Sequence, residues 1–217
     1  VIELVALDIA GTTVAEGGAV YRVLAEVVAD HGTPAAPAEI QRWMGADKRA
    51  ALAELTGDPD STERLHDEFV ARLRAAYVET PPKPVPGVPE ALALLREKGI
   101  RVALTTGFDH QVTDPLLAAI GWRVGDQLDA VVCADDVAAG RPEPHMIRRA
   151  MELTGVTDPQ RVLAAGDTVL DIRAGRAAEA ALVVGVLSGA QSRSELEPEN
   201  PTEILADVSE IPALLQL

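Results

Sequence analysis

An α/β fold built on a doubly wound parallel sheet is what this sequence predicts, and three observations predict it. An apolar run from Val1 to Leu7 ends on Asp8. From Val88 to Leu187 short apolar strands alternate with helices. Between these regions every segment reads helical.

Taken in order, the first strand is followed by Ala15-Glu16-Gly17-Gly18, whose paired glycines read as a flexible joint. Val20, Val23, Leu24 and Val27 share one helix face, as do Leu65, Phe69, Leu73 and Ala76, with charges elsewhere. The Pro-rich stretch from Thr80 to Pro89 reads as a stiffer joint. Beyond it the pattern predicts a helix over Pro89–Lys98, a strand over Arg101–Thr105, a helix over Asp109–Ile120 and a strand over Ala130–Cys133. A helix over His145–Thr154, a strand over Val162–Ala165, a helix over Val169–Ala180 and a strand over Leu182–Leu187 complete it. Crossover helices between such strands require parallel pairing, and the first strand is expected to join the same sheet. Residues 1–14 and 86–217 then form the core, and residues 15–85 a small inserted helical cap domain hinged at both ends.

Composition narrows the function. At 217 residues and 47% hydrophobic, the chain can bury one full core and a modest second lobe. A formal net charge of -15 and a pI near 4.6 oppose nucleic acid and anionic membrane as partners. The single cysteine, Cys133, excludes an internal disulfide and suits a reducing compartment, so cytoplasm is the expected location. The first ten residues contain Glu3 and Asp8 and lack the basic leader of a signal segment.

In open parallel sheets ligands bind beyond the carboxyl ends of the strands. Asp8, Thr106-Gly107, Arg141 and Gly166-Asp167 all fall at or just past such ends. Singly, each has an ordinary structural explanation: a turn cap, a strand exit, a surface loop, a helix N-cap. Jointly they read as a phosphoryl site with Asp8 as nucleophile. Ala10 stands where many phosphate-transferring enzymes carry a second acid to protonate the leaving oxygen.

Four segments carry a resemblance: Asp8-Ile9-Ala10-Gly11-Thr12, Thr105-Thr106-Gly107, Ala139-Gly140-Arg141-Pro142, and Gly166-Asp167-Thr168 followed by Asp171. Over the whole chain they resemble the haloacid dehalogenase-like hydrolase superfamily. More narrowly they resemble its phosphonatase-like (phosphonoacetaldehyde hydrolase) family, with alanine for the acid at position 10 and arginine where most of the superfamily has lysine. The resemblance implies a Rossmann-like core with a helical cap and Mg²⁺ held by Asp8, the Ala10 backbone carbonyl and Asp167. It also implies an aspartyl phosphate on Asp8 and charge neutralisation by Arg141. Thr12, Thr106, Gly107 and Met44 would contact substrate, Asp171 would support the metal's ligands, and a homodimer would form through cap helices.

Met44-Gly45-x-x-Lys48 looks like the phosphonatase segment whose lysine forms a Schiff base with an aldehyde substrate. Cleaving a carbon–phosphorus bond leaves a carbanion, which a protonated imine takes up as an enamine. Lysine and the missing acid at position 10 therefore belong together, since no alkoxide is expelled. The ordinary alternative for Lys48 is a solvated charge near the start of a cap helix. Burial, a helix N-terminus or Arg49 would lower its pKa, and Asp47 would oppose them.

By motif offset, Gly18 falls where the family has a cysteine, Ala51 where it has a histidine, and Phe108 where a tyrosine follows Thr-Thr-Gly. The reading is therefore a Mg²⁺-dependent hydrolase of a small phosphonate. A phosphate-ester phosphatase acting on phosphoglycolate-like esters is the first alternative, and a non-catalytic relative binding a phosphorylated metabolite or a protein is the second. His31, His66, His110 and His145 lack metal-site spacing, although His110 follows the phosphate loop closely enough to face substrate.

Overall fold

Along Leu4–Asp8 successive side chains point to opposite sides, and both sides are apolar. Val5 and Leu7 join one buried cluster with Val102, Leu104, Leu163 and Val184. Leu4 and Ala6 join a second with Ala103, Val132, Val162 and Ala164. A strand buried on both faces needs helices over both, so the layered fold follows from these alternations.

The computed structural model describes every residue from Val1 to Leu217. In chain order the elements are β1 (Leu4–Asp8), β2 (Val14–Ala15), α1 (Ala19–His31), α2 (Pro37–Arg42), α3 (Lys48–Thr56), α4 (Thr62–Glu79) and β3 (Lys83–Pro84). There follow α5 (Val88–Glu97), β4 (Arg101–Thr105), α6 (His110–Ala119), β5 (Ala130–Val132), α7 (His145–Thr154), β6 (Val162–Gly166) and α8 (Val169–Ala177). The chain closes with β7 (Leu182–Val186), α9 (Arg193–Leu196), β8 (Glu203–Leu205) and α10 (Ile211–Leu214).

The main sheet has six strands in the order β5-β4-β1-β6-β7-β8, all parallel. From β1 the chain winds out through β4 to β5, then returns to β6 on the other side of β1. The winding therefore reverses at β1, and a crevice opens beyond the carboxyl ends of β1, β4 and β6. Register brings the ends level: Asp8 pairs with Thr105, and Leu7 with both Leu104 and Ala165.

The two expected joints are not independent. Val14 and Ala15 pair antiparallel with Pro84 and Lys83, and Val85 N–H donates to the Thr13 carbonyl at 3.0 Å. The glycine-rich joint is also ordered. The Glu16 carboxylate accepts the N–H groups of Gly18 and Val20, both at 2.9 Å, capping α1 in place of an N-cap side chain. Gly17 and Gly18 take positive φ of 66° and 73°, which glycine adopts without strain. β8 was not anticipated; three residues are too few for an alternation signal, and its Glu203 is exposed. α8 stops three residues early, where Glu179 turns at φ 60°.

Helices α1, α3 and α4 bury their own cluster, including Val20, Leu24, Leu52, Phe69 and Leu73, together with Phe108 and Val112 from the sheet side. This apolar seam packs α1, α3 and α4 against Phe108 and the first turn of α6. No helix is long and apolar enough to cross a membrane.

Phe69 is 0% exposed at the centre of that cluster. Phe69→Ala should cost about 3–5 kcal/mol of unfolding free energy, measured by urea denaturation. A loss under about 1 kcal/mol would contradict the packing described here.

Candidate active site

β1 delivers Asp8 into the crevice, and the following loop fixes it. Thr13 Oγ1 donates to the Asp8 carbonyl at 3.0 Å and the Ile9 carbonyl at 3.3 Å. Ile9 O also accepts the amides of Thr12, Thr13 and Val14, so the turn is held by its own backbone.

Arg141 arrives from the loop after β5 and is almost wholly buried. Its Nη1 lies 2.8 Å from Asp8 Oδ1 and donates to the Gly45 carbonyl at 3.2 Å. Nε lies 2.8 Å from Asp171 Oδ1, and Nη2 donates to the carbonyl and hydroxyl oxygens of Thr105, each at 3.0 Å. Asp171 is held in turn by the Thr168 amide at 3.1 Å and hydroxyl at 2.6 Å. One guanidinium thus ties together β1, β4, the first turn of α8 and the turn before α3. Asp8 lines the cleft, and Arg141 engages its Oδ1.

Asp167, just past β6, takes Thr12 Oγ1 on Oδ1 at 2.9 Å and the Ala190 amide on Oδ2 at 2.6 Å. Gly11 and Gly189 make this approach possible. A Cβ on either would lie 2.6 Å or 2.1 Å from Asp167 Oδ2.

Burial raises Asp8 to about 8 despite the opposing Arg141 charge, with Asp171 and Asp167 pushing the same way. Asp167 rises to about 6, through burial first and Asp171 second. The charge of Asp167 adds to the rise at Asp8, and Arg141 divides its pairing between Asp8 and Asp171. Asp8 and Ala10 line the cleft and Asp167 acts on Asp8 through its charge; carboxylate and carbonyl oxygens of this kind would suit a hard divalent cation such as Mg²⁺.

Lys48 is buried, not solvated, and faces the same cleft. Its Nζ donates to the Ala46 carbonyl at 2.6 Å and sits 5.7 Å and 5.9 Å from the ring centroids of Phe108 and Tyr21. Burial lowers its pKa to about 8; Asp47 and Asp8 oppose this, and Arg141 assists. Arg49 is not the neighbour that acts on it: its guanidinium pairs with Asp109 at 2.8 Å and Glu63 at 3.0 Å.

The cleft is nearly closed, with about 10 Å³ of internal space. Of the sequence-predicted residues, Asp8, Ala10, Lys48, Thr106, Gly107 and Arg141 line it. The Gly45-Ala46 turn rests on Gly107, where a Cβ would meet Ala46 O at 2.5 Å and Gly45 O at 2.7 Å. Two expected substrate contacts lie elsewhere. Thr12 is 0% exposed with its hydroxyl engaged by Asp167, so it positions that acid. Met44 is half-buried in the turn after α2 and does not line the cleft. His110 also faces away, pairing with Asp114 and Asp136 at 3.0 Å each.

Val20, Tyr21, Gly45 and Phe108 line the cleft without having been singled out as contacts. Tyr21 had a usable signal: with only two tyrosines and two phenylalanines in the chain, an aromatic three residues after the glycine joint is conspicuous. The departures at three positions have structural reasons. Ala51 packs in the helical cluster, Gly18 is the left-handed residue before α1, and Phe108 walls the cleft.

Residues 2–179 match the family described as haloacid dehalogenase-like hydrolase. The phosphonoacetaldehyde hydrolase of Bacillus anthracis is 33% identical over 94% of this chain and 84% of its own length. A phosphonoacetaldehyde hydrolase-like protein from Oleispira antarctica has the same fold, with a TM-score of 0.85 at 22% identity, covering 99% of this chain and 91% of that one. A predicted phosphoglycolate phosphatase from Haemophilus somnus 129pt superposes with a TM-score of 0.76 at 21% identity, covering 99% and 98%.

Both raised carboxylates hold protons more tightly folded than unfolded. Their stabilising contribution is complete below pH 3.8 and is lost as pH rises through about 6 for Asp167 and about 8 for Asp8. In magnesium-free buffer the melting temperature should fall from about pH 4 to about pH 8 more steeply for the native chain than for Asp8→Asn, and Mg²⁺ should restore it most at the alkaline end. Parallel pH curves for the two proteins would contradict these electrostatics.

Proposed function

The chain belongs to the haloacid dehalogenase-like hydrolases, and from that premise we propose that it is a Mg²⁺-dependent, phosphonatase-like enzyme cleaving the carbon–phosphorus bond of a small phosphonate, phosphonoacetaldehyde or a relative. The observation that carries this reading is Lys48, a buried amine with its pKa drawn to about 8 in the same cleft as Asp8. An amine must shed its proton to attack a carbonyl, and at a pKa near 8 a usable fraction does so at neutral pH.

Bound by Asp8, the Ala10 carbonyl and Asp167, Mg²⁺ would supply neutralising charge to the phosphoryl oxygens. The remaining steps belong to the chain's own groups. Lys48 condenses with the substrate aldehyde, releasing water and leaving a protonated imine. Asp8 attacks phosphorus, and Arg141, which opposes the rise in its pKa, favours the ionised carboxylate and faces the charge on the transferring group. Thr106 Oγ1 already accepts the Phe108 amide at 3.1 Å, so its own proton is free for a phosphoryl oxygen, as is the Gly107 amide. As the bond breaks its electron pair passes into the imine, giving an enamine that takes a proton and is hydrolysed off Lys48. Water then hydrolyses the phosphoryl group from Asp8. Residues 15–85 act as a cap over the core formed by 1–14 and 86–217, with the Gly45-Ala46 turn on Gly107 as its closing contact.

One observation favours a second reading. No imidazole lines the cleft, Ala51 being apolar and Phe108 lacking a hydroxyl, so the proton carrier expected beside an imine-forming lysine is missing. A phosphatase acting on small phosphate esters would use the same Asp8, Arg141 and Asp167.

Phosphate release measured over small phosphonates and phosphate esters with Mg²⁺ separates the two. Lys48→Ala should abolish phosphonate turnover and spare any ester turnover, and borohydride with substrate should fix the carbon skeleton to Lys48. Asp8→Asn should lower both activities by roughly 10³-fold or more. Phosphonate turnover that survives Lys48→Ala would overturn the imine route.

A further inference from the structure

One polar group in the cleft has no part in the reaction above: the phenol of Tyr21. It stands in the first turn of α1, directly after the joint that Glu16 caps. Its ring forms one wall, with the Lys48 amine 5.9 Å from the centroid. The phenolic oxygen accepts the Gly45 amide at 3.2 Å, and the Gly45 carbonyl accepts Arg141 Nη1 at 3.2 Å. The hydroxyl is therefore pinned one residue's backbone away from the guanidinium that grips Asp8.

A phenol that accepts one hydrogen bond still has its own proton to give. Nothing in the chain takes it, since the Gly45 amide is the only partner of Tyr21 Oη. Burial, together with Asp167, Asp8 and Asp171, keeps the phenol protonated, so it can only donate outward. Asp167 and Asp171 are the same two acids that act on Asp8. The opposite aromatic wall, Phe108, offers no hydroxyl.

We infer that Tyr21 is a catalytic residue that donates its hydroxyl proton in a hydrogen bond to an oxygen of the phosphoryl group held against Asp8. The inference rests on the hydrolase reading at Asp8 and is indifferent to whether carbon or oxygen leaves. Thr106 and Gly107 would hold the phosphoryl oxygens from the sheet side and Tyr21 from the helical side. A donor fixed by its own backbone contact costs no reorganisation as charge redistributes over those oxygens. Productive geometry would then require the helical segment to be seated, because α1 supplies the third donor.

Tyr21→Phe removes the hydroxyl and keeps the ring. In the full chain with Mg²⁺, kcat/KM for phosphate release should fall roughly 10- to 100-fold on whichever substrate class the native enzyme turns over. The dissociation constant for inorganic phosphate, measured by calorimetry with Mg²⁺, should rise, while the melting temperature holds. A role confined to supporting the Gly45 turn would instead lower the melting temperature and leave phosphate affinity intact, overturning the inference. So would phosphate affinity and kcat/KM both within about twofold of native. A native chain that neither turns over any substrate nor binds phosphate would remove the hydrolase reading itself, a result distinct from an unaffected Tyr21→Phe.

Discussion

The site is organised around one buried cation. Arg141 holds Asp8 and Asp171 at 2.8 Å each while Thr105 and Gly45 take its remaining donors. Removing one partner of a buried charge network leaves the others uncompensated, at a cost of about 3–5 kcal/mol. The cluster is not neutral even when intact. Asp8, Asp167 and Asp171 are opposed by Arg141 and Lys48, which leaves an excess of one negative charge when all are ionised. A divalent cation held beside Asp8 would offset that excess, as the proposed chemistry requires.

That arrangement depends on the reversal of winding at β1. Asp8, Thr105 and Gly166 come from strands that are neighbours in space and far apart in sequence, and their common register sets the carboxyl ends level. Glycines then let the acids approach. At Gly11, Gly189 and Gly166 a Cβ would intrude on the carboxylates of Asp167 or Asp171. The same economy governs closure, since Gly107 accepts the backbone of residues 45–46 and nothing larger would fit.

The sheet was legible because its strands are short, apolar and separated by amphipathic helices. The helical stretch was legible from faces such as Val20-Val23-Leu24-Val27. Three features were not. The ribbon of β2 with β3 has two residues on each side and no period to detect. β8 forms only because β7 presents an open edge to it. The burial of Lys48 could not be read either, since sequence gives its position at a helix start but not the aromatic rings that close over it. Motif spacing located the acids, Arg141 and the Thr106-Gly107 loop. It could not show that Thr12 turns inward to Asp167 or that Met44 stays out of the cleft, because those outcomes depend on which hydroxyl and which turn win local contacts. Tyr21 was passed over because its neighbours Val20 and Val23 made α1 read as packing alone.

The central claim is that Asp8 attacks phosphorus. Turnover of an active substrate should be acid-quenched within the first catalytic cycles and the chain digested for mass spectrometry. The account predicts one phosphoryl group on the peptide that carries Asp8, absent from the Asp8→Asn variant. Steady release of phosphate with an unmodified Asp8 peptide, or with the group on another residue, would contradict it.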